Sequence, residues 1–574
     1  MGLGIALCAL HNMRFQPWTL DDAYITFRYA DNLANGLGPV YNPGEVVEGY
    51  TTFLWMAMLS AASSLGLDLV GVSKIYGALA TLGTLLLVSF ADRFVDGLPR
   101  RVAWYGGLLV ATSPILTRWA MSGMEVPLVA LLITAATLVH LRDRSREDAS
   151  MPLALGAGLL CALAAMTRPD AGLIFGVLGL DRLLSVVRRR RHALPAMLSF
   201  ALVFAAVFGT YFAWRYTYYG WLLPNTFYVK VGATGMQLLR GVYYLNTWLV
   251  IAPVVGAALV ASVVPLRRSM AVPLAAGSLV FLIANVLYVS QVGAQHFPYL
   301  VGFGYAGLCL SVLSLTQFRI QHGLQVGVAF SLLHTMYVIS VGGDVMYGYR
   351  FFVVILPIMA LVMAAMIDTL QATKRLQQIC FWGPLALNVY WMAVSIELNA
   401  AGRVSERGIA VGEFLHEHAP EDALLAVNVA GTIPYYSKLR SIDTLGLNDA
   451  HIAHMEIEDM GAGWAGHEKG DGDYVLSRQP DYVIFSSAHG AKLPRFRGDH
   501  DLFDSEAFHE AYDLHIYALT STAGIPFDLT IWVRRDDHGG SGLSDAAPKR
   551  VVTGDLRDSL PPREQRYNPT ETWW

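Results

Sequence analysis

Long apolar stretches separated by short polar loops run through the first two-thirds of the chain. Crossing a bilayer takes about 20 residues, and runs of that order fall near 71–91, 102–119, 124–141, 194–216, 246–265, 272–292, 297–316, 323–341, 351–370 and 378–396. A further pair, 151–166 and 171–187, is short and is interrupted by "TRPD". The first 14 residues are apolar too, but at ~1.5 Å each they reach only ~21 Å of a ~30 Å core. They predict a first helix that is truncated at its start or only partly embedded. They also lack the basic lead and small-residue cleavage site of a removed signal segment. From 397 onward the pattern changes: "ERGIAVGEFLHEHAP" reads as an amphipathic helix, and "DALLAVNVAG" and "DYVIFSS" as buried strands bounded by turns. No internal repeat is visible.

Composition agrees with the pattern. The chain is 54% hydrophobic and 15% charged, with mean hydropathy +0.42, against roughly 25% charged in a soluble domain. The expectation is a polytopic α-helical membrane protein of about 11–13 transmembrane helices with a C-terminal soluble α/β domain. Residues 1–396 form the membrane part, with a first loop at 15–51. Residues 397–535 form the soluble domain, and 536–574 a polar, disordered tail. The net charge of −4 says little. Cys8, Cys161, Cys309 and Cys380 all sit in apolar segments, which excludes a disulfide or zinc framework.

Lys/Arg in short loops set orientation. Arg100/Arg101, "RDRSR" (142–146), "RRRRH" (188–192), Arg267/Arg268 and "TKR" (373–375) read as cytoplasmic, with an even number of spans between consecutive clusters. The loops left on the outer face are "GME" (123–125), "TRPD" (167–170), 217–245, "QVGAQHFPY" (291–299) and "VGGDVMYGYR" (341–350), together with everything after 397. Asp21 and Asp22 join them if 52–66 is an interfacial or re-entrant helix. The alternative is a cytoplasmic aspartate pair with no first span.

An ionisable residue at the membrane boundary is by default a functional hypothesis. Asp21 and Asp22 open "DDAYITFRYADNL", where Ile25, Tyr29 and Leu33 share one face expected to lie down on the membrane surface, and helix capping competes with chemistry as the role of the two aspartates. The following "GLGPVYNPGEVVEGY" carries Glu45 and Glu48 in an ordered Gly/Pro turn pattern. Outer-side cations near the bilayer are few: Arg28, Arg118, Arg168, Lys230, Arg240 and Arg350. Each has a structural competitor: Arg350 as the snorkelling flank of the next helix, Arg168 with Asp170 as a hairpin ion pair, Lys230 as an interfacial anchor. Glu125 and His296 are boundary polar residues, and Asp344 is a second carboxylate or a turn residue.

The set "DDAYITFRYADNLANGLGPVYNPGEVVEGYTTFLW", "SGMEVPL", "TRPDAGL", "LPNTFYVK", "GGDVMYGYRF" and "YYSKLRSIDTLGLND" resembles the actinobacterial terminal β-arabinofuranosyltransferase family of the GT-C glycosyltransferases. The resemblance covers roughly residues 15–530, departing at the abbreviated first helix. It implies a multi-pass enzyme of the bacterial plasma membrane whose active site and C-terminal domain face the periplasm and cell wall. Arabinofuranose would move from decaprenyl-phosphate-arabinofuranose to the ends of arabinan in arabinogalactan and lipoarabinomannan. Asp21 and Asp22 are then the catalytic candidates. Glu125, Arg168, Asn225, Lys230, His296, Asp344, Tyr347, Arg350 and Arg28 are candidates for donor phosphate and substrate.

The residues fit that chemistry. An acceptor hydroxyl needs a carboxylate to take its proton, and a departing phosphate needs positive charge. A β-linked donor and β-linked product formally mean net retention, which would make one aspartate a nucleophile. A divalent cation held by Asp21, Asp22 and Asp344 is an open alternative to a metal-free site. The soluble domain is expected to bind the glycan acceptor without supplying a catalytic group, with Tyr435, Tyr436 and Trp464 as stacking candidates. A GT-C transferase of another sugar such as mannose, a polyprenyl-lipid or solute transporter, and a non-catalytic glycan receptor stand as alternatives. Nothing suggests nucleic acid.

Overall fold

A computed structural model describes residues 2–146, 149–188, 193–292, 301–315, 323–346, 348–394, 402–538, 542–543 and 546–557. The apolar stretches are helical. Several are single helices: Leu69–Ser89, Val126–Arg144, Ala193–Tyr219, Ala271–Val292, Gln325–Ser340 and Lys374–Val394. Three others are broken, each just before or at a proline. Arg100–Ala111 gives way to Pro114–Ala120, Gly235–Ile251 to Pro253–Ala261 with a 109° bend, and Arg350–Val353 to Leu356–Asp368 with Pro357 in its first turn. Proline lacks the N–H that would continue the ladder and is best accommodated in the first turn of a new helix. Among the described residues, four helices are long and apolar enough to cross a membrane, five if the bent pair is one span. Five further apolar helices among the described residues, Phe53–Ser63, Met151–Thr167, Val301–Ser314, Gln325–Ser340 and Leu356–Asp368, are shorter.

The chain opens with α1 (Gly2–Phe15), α2 (Asp21–Ala34) and α3 (Phe53–Ser63). At 11 residues, α3 is ~16 Å long and cannot cross a bilayer. Its buried Trp55, Met56 and Leu59 pack in the same core as α2. One expectation needs correction here. Ile25 and Tyr29 are buried, as the apolar stripe predicts, but so are Ala23, Tyr24, Thr26, Phe27, Arg28 and Ala30. Thus α2 does not lie apolar face down on a membrane surface. It is sandwiched between the helical body and the C-terminal domain.

Polar contacts sort the loops into two ends. At one end Arg101 pairs with Asp368, Arg142 with Asp96 at 3.3 Å, Arg100 with Asp92 at 3.5 Å and Arg144 with Asp181 at 2.7 Å. These are loops that the Lys/Arg pattern grouped on one side. At the other end the segments around 123–125, 167–170, 224–240 and 342–350 converge beneath the C-terminal domain.

That domain holds a six-stranded sheet in the order β2-β1-β3-β5-β4-β6. The strands are β1 (Leu424–Val427), β2 (Arg440–Asp443), β3 (Tyr482–Ile484), β4 (Tyr512–Thr520), β5 (Pro526–Arg534) and β6 (Arg550–Val552). Strands β1–β3 are parallel, with Ala426 facing Ile442 on one side and Val483 on the other, and β3–β5, β5–β4 and β4–β6 are antiparallel. The helix Gly402–His418 covers one face with Val411 and Leu415, and Phe503 and Phe508 cover the other. The strands read from the sequence are β1 and β3. The tail requires correction: residues 550–552, expected to be disordered, extend the sheet by pairing with Ile516, His515 and Leu514 of β4.

Candidate active site

A cleft of about 190 Å³ opens where the converging loops meet the C-terminal domain. Asp22, Glu125, Arg168, Asp170, Lys230 and Arg350 line it, with Tyr50, Phe227, Tyr337 and Phe351 as aromatic walls and Leu447 contributed by the C-terminal domain. Five separate polar loops of the sequence therefore share one cavity.

Two guanidinium groups organise its charge. Arg350 pairs with Asp344, donating one hydrogen bond of 3.1 Å to Oδ1 and bringing Nε within 2.6 Å of Oδ2, and stands 3.5 Å from Asp22. Arg168 grips Asp170 with bonds of 3.0 and 3.3 Å and reaches Glu125 at 3.2 Å. The Phe351 ring lies between them, 4.8 Å from Arg168 and 5.8 Å from Arg350. Arg350 enters the cleft because the preceding "GGDVMYGY" turns sharply: Gly342, Gly343 and Gly348 have positive φ, and so does Tyr349 at 52°. A non-glycine residue in that region carries strain of order 1 kcal/mol or more, characteristic of segments shaped for function.

Within this lattice Asp22 and Lys230 differ from the rest. A charge-assisted bond between nitrogen and carboxylate is normally ~2.7–2.9 Å, so the 3.5 Å contact leaves Asp22 lone pairs for another partner. Its side chain is 22% exposed, against 4% for Asp344. Lys230 makes no ion pair among the described residues, whereas both arginines of the cleft are paired. Burial holds its ammonium below the usual lysine range, and Arg350 adds to the effect. An uncompensated cation in a half-buried cleft is poised to receive an anion.

The remaining candidates divide. Glu125, Arg168 and Asp344 belong to the cleft or its ion lattice. Arg28 does not: its guanidinium donates to the backbone carbonyls of Tyr41, Pro434 and Leu439 and to Asn42. Asn225 likewise spends its amide on the carbonyls of Gly446, Leu447 and Asp449. Both fasten the C-terminal domain and are not turned to the cavity. His296 and Tyr347 lie outside the described residues.

The aspartate pair splits as well. Asp21 faces away from the cleft and accepts from Gly431 N at 3.1 Å, Thr432 N at 2.8 Å and Thr432 Oγ1 at 2.6 Å. Burial pushes its carboxyl up to about 6 against the pull of these bonds. It does not cap its own helix, whose N-cap position is Leu20. Successive helical residues point ~100° apart, so two carboxylates in one turn serve two surfaces. Asp21, Asp22 and Asp344 consequently do not converge as cation ligands, and among the described residues no cluster of three or more His, Cys, Asp or Glu does. Arg350 bridges Asp22 and Asp344.

The C-terminal stacking candidates also part ways. Tyr435 and Tyr436 pack against Tyr24 at 5.5 and 5.7 Å. Trp464 stays partly exposed, with Arg495 4.3 Å from its ring.

Comparison with known proteins follows the same division. Residues 396–532 match a domain of unknown function, DUF8728. A terminal β-(1→2)-arabinofuranosyltransferase of Mycobacterium tuberculosis is 30% identical over 243 residues, 40% of this chain and 38% of that protein. One of the same name from Corynebacterium glutamicum is 26% identical over 393 residues, 63% of this chain and 49% of that protein. The chain is related to these transferases. The matches span about half or less of the relatives' length. Among solved structures, ArnT from Cupriavidus metallidurans in the apo state is similar at 15% identity and TM-score 0.44, over 94% of this chain and 98% of that one.

The sequence missed the ties between body and domain. The buried pair Arg240–Glu468 at 3.0 Å carries no local motif, and neither does Arg215–Glu48 at 2.6 Å, which fastens the first loop to the helical body. Thr432 lies 411 residues from Asp21, and only the fold brings them together.

Proposed function

We propose that the protein is a membrane glycosyltransferase of GT-C type that moves an arabinofuranosyl group from a polyprenyl-phosphate donor to the end of an arabinan chain on the outer face of the membrane. The observation that carries the reading is the cleft itself, where a carboxylate with spare lone pairs and an unpaired lysine share one cavity at the end of an apolar helical body. The names of the two relatives supply the sugar and the linkage.

In this reading Asp22 is the carboxylate at the reacting centre, contacting the acceptor hydroxyl or the anomeric carbon as the new bond forms. Lys230 receives the departing phosphate, whose negative charge grows as the glycosidic bond breaks. Arg350 holds Asp22 from behind, between it and Asp344. The lattice of Arg168, Glu125 and Asp170 forms another part of the wall, where one guanidinium shared by two carboxylates can donate to and accept from sugar hydroxyls. The donor is a lipid because the cleft opens at the end of membrane helices. Decaprenyl phosphate is the carrier implied by the sequence resemblance.

The test is direct. Purified protein is incubated with synthetic polyprenyl-phosphate-arabinofuranose and a short oligoarabinoside, and the product is sized. Extension by one pentose, absent in D22N and absent when polyprenyl-phosphate-mannose replaces the donor, is the expected result. Extension with the mannose donor would reassign the sugar, and no extension with either would remove the proposal.

A further inference from the structure

Asp21 stands beside the reacting carboxylate yet is turned from the cleft, and what it does there reaches beyond the assignment of Asp22, on which this inference rests. The helix Thr432–Ser437 of the C-terminal domain begins after Gly431, which has no side chain to satisfy its first N–H groups. Helix N-termini leave such donors unpaired, and a side-chain oxygen at the preceding position normally accepts them. Here the oxygen comes from the other half of the molecule. One carboxylate oxygen of Asp21 takes both the N–H and the hydroxyl of Thr432, and the other takes the N–H of Gly431. Gly431 is required for the approach, since a Cβ there would collide with the backbone and carboxylate of Asp21.

The same domain also touches the second reactive group. Gly466, at φ +78°, lies against the Lys230 side chain, where an added Cβ would come within 2.9 Å of Cε. On either side of Lys230, Asn225 holds residues 446–449 and Arg240 holds Glu468 and the Gly463 carbonyl.

We propose that Asp21 is a positioning residue, a cap donated across the domain interface, and that the docked C-terminal domain thereby fixes Asp22 and Lys230 in reacting geometry instead of serving acceptor binding alone. The first turn of α2 is held by its outward carboxylate, and its neighbour's aim depends on that hold. A displacement of about 1 Å at a reacting group can cost about 10²-fold in rate.

Graded substitution distinguishes this role from chemistry. D21N keeps the oxygen that takes both Thr432 donors and loses only the bond from Gly431. D21A loses all three, and T432V removes the hydroxyl while leaving both N–H groups. Positioning predicts transfer within about 3-fold of wild type for D21N and a loss of about 10²-fold in kcat for D21A. T432V falls between them, and T432S restores the rate. Hydrogen exchange of 430–437 in the full-length protein should accelerate in D21A and stay slow in D22N. Donor hydrolysis by water, which needs no acceptor, should fall in D21A alongside transfer.

D21N as inactive as D22N would overturn the inference by placing Asp21 in the chemistry. D21A with only a raised acceptor KM and unchanged donor hydrolysis would overturn it in favour of a pure acceptor-binding domain. If D22N itself transfers at the wild-type rate, the functional reading fails instead. The exchange result at 430–437 would then stand alone.

Discussion

The two ends of the helical body hold their charges differently. At the Lys/Arg-rich end most ion pairs are exposed: Arg142 is 43% exposed against an Asp96 that is 60% exposed, and Arg101 is 77% exposed. At the cleft end the arginines are buried, and four of them meet a carboxylate buried with them, in Arg215–Glu48, Arg240–Glu468, Arg168–Glu125 and Arg350–Asp344. Exposed pairs contribute about 0–1 kcal/mol. Removing one partner of a buried pair costs about 3–5 kcal/mol, because it strands a charge away from water. A chain therefore keeps buried pairs where an exact arrangement of charge is needed. At the first end Arg182 with Asp143, at 2.7 Å, is buried too, but between helices and not under a domain.

The sharpest way to break the comparison is at the cleft. Asp22→Asn keeps shape and removes the carboxylate, and transfer should fall by about 10²–10⁴ with folding intact, read by product formation and by thermal unfolding in detergent. Lys230→Met should follow, with a loss of about 10² in kcat and weaker protection by polyprenyl phosphate against unfolding. An unchanged kcat would show that the phosphate leaves elsewhere.

The structural half of the comparison predicts a contrast in stability. Arg215→Met strands Glu48 and should cost about 3–5 kcal/mol. Arg142→Ala should cost no more than about 1 kcal/mol. Equal effects in a denaturant titration would show that the two ends are not built differently.

The smallest expected effect concerns pH. Asp21 titrates at about 6 in the folded protein, raised by burial from an ordinary value near 3.8. A carboxyl raised on folding adds stability below its unfolded value and loses it as pH rises through the folded one. The stability of wild type relative to D21N should therefore grow as pH falls from 7 to 5. The comparison must be made as that difference, because buried histidines such as His467, lowered to about 4, work in the opposite direction. A flat difference would show that Asp21 is solvated.

Much of this architecture could be read along the chain. The apolar runs foretold the helices, and only the prolines at 114, 253 and 357 divided what looked continuous. Three of the breaks were thus present in the sequence as proline but outweighed by hydrophobic length. Strands β1 and β3 announced themselves as short apolar runs between turns. Strand β6 could not, because "RVV" in a polar stretch becomes a strand only by adding to the edge of β4.

The cleft was legible in its parts. "GME", "TRPD", "NTFYVK" and "GGDVMYGYR" each supplied a lining residue, and each stood out as charge where charge is costly. Their roles were not legible. Arg28 and Lys230 are both cations near a membrane boundary, yet one ends on backbone carbonyls of the C-terminal domain and the other faces a cavity.

The sequence by itself determined that two carboxylates would open α2 at its positive end, where backbone N–H groups favour them. Only the tertiary structure decided which of the two would face the cleft. Neighbours on a helix point in different directions, and what covers each direction is set by residues more than four hundred positions away, at Gly431 and Thr432. No local pattern encodes a partner that distant, so the pair reads as one motif in the chain and acts as two residues in the fold.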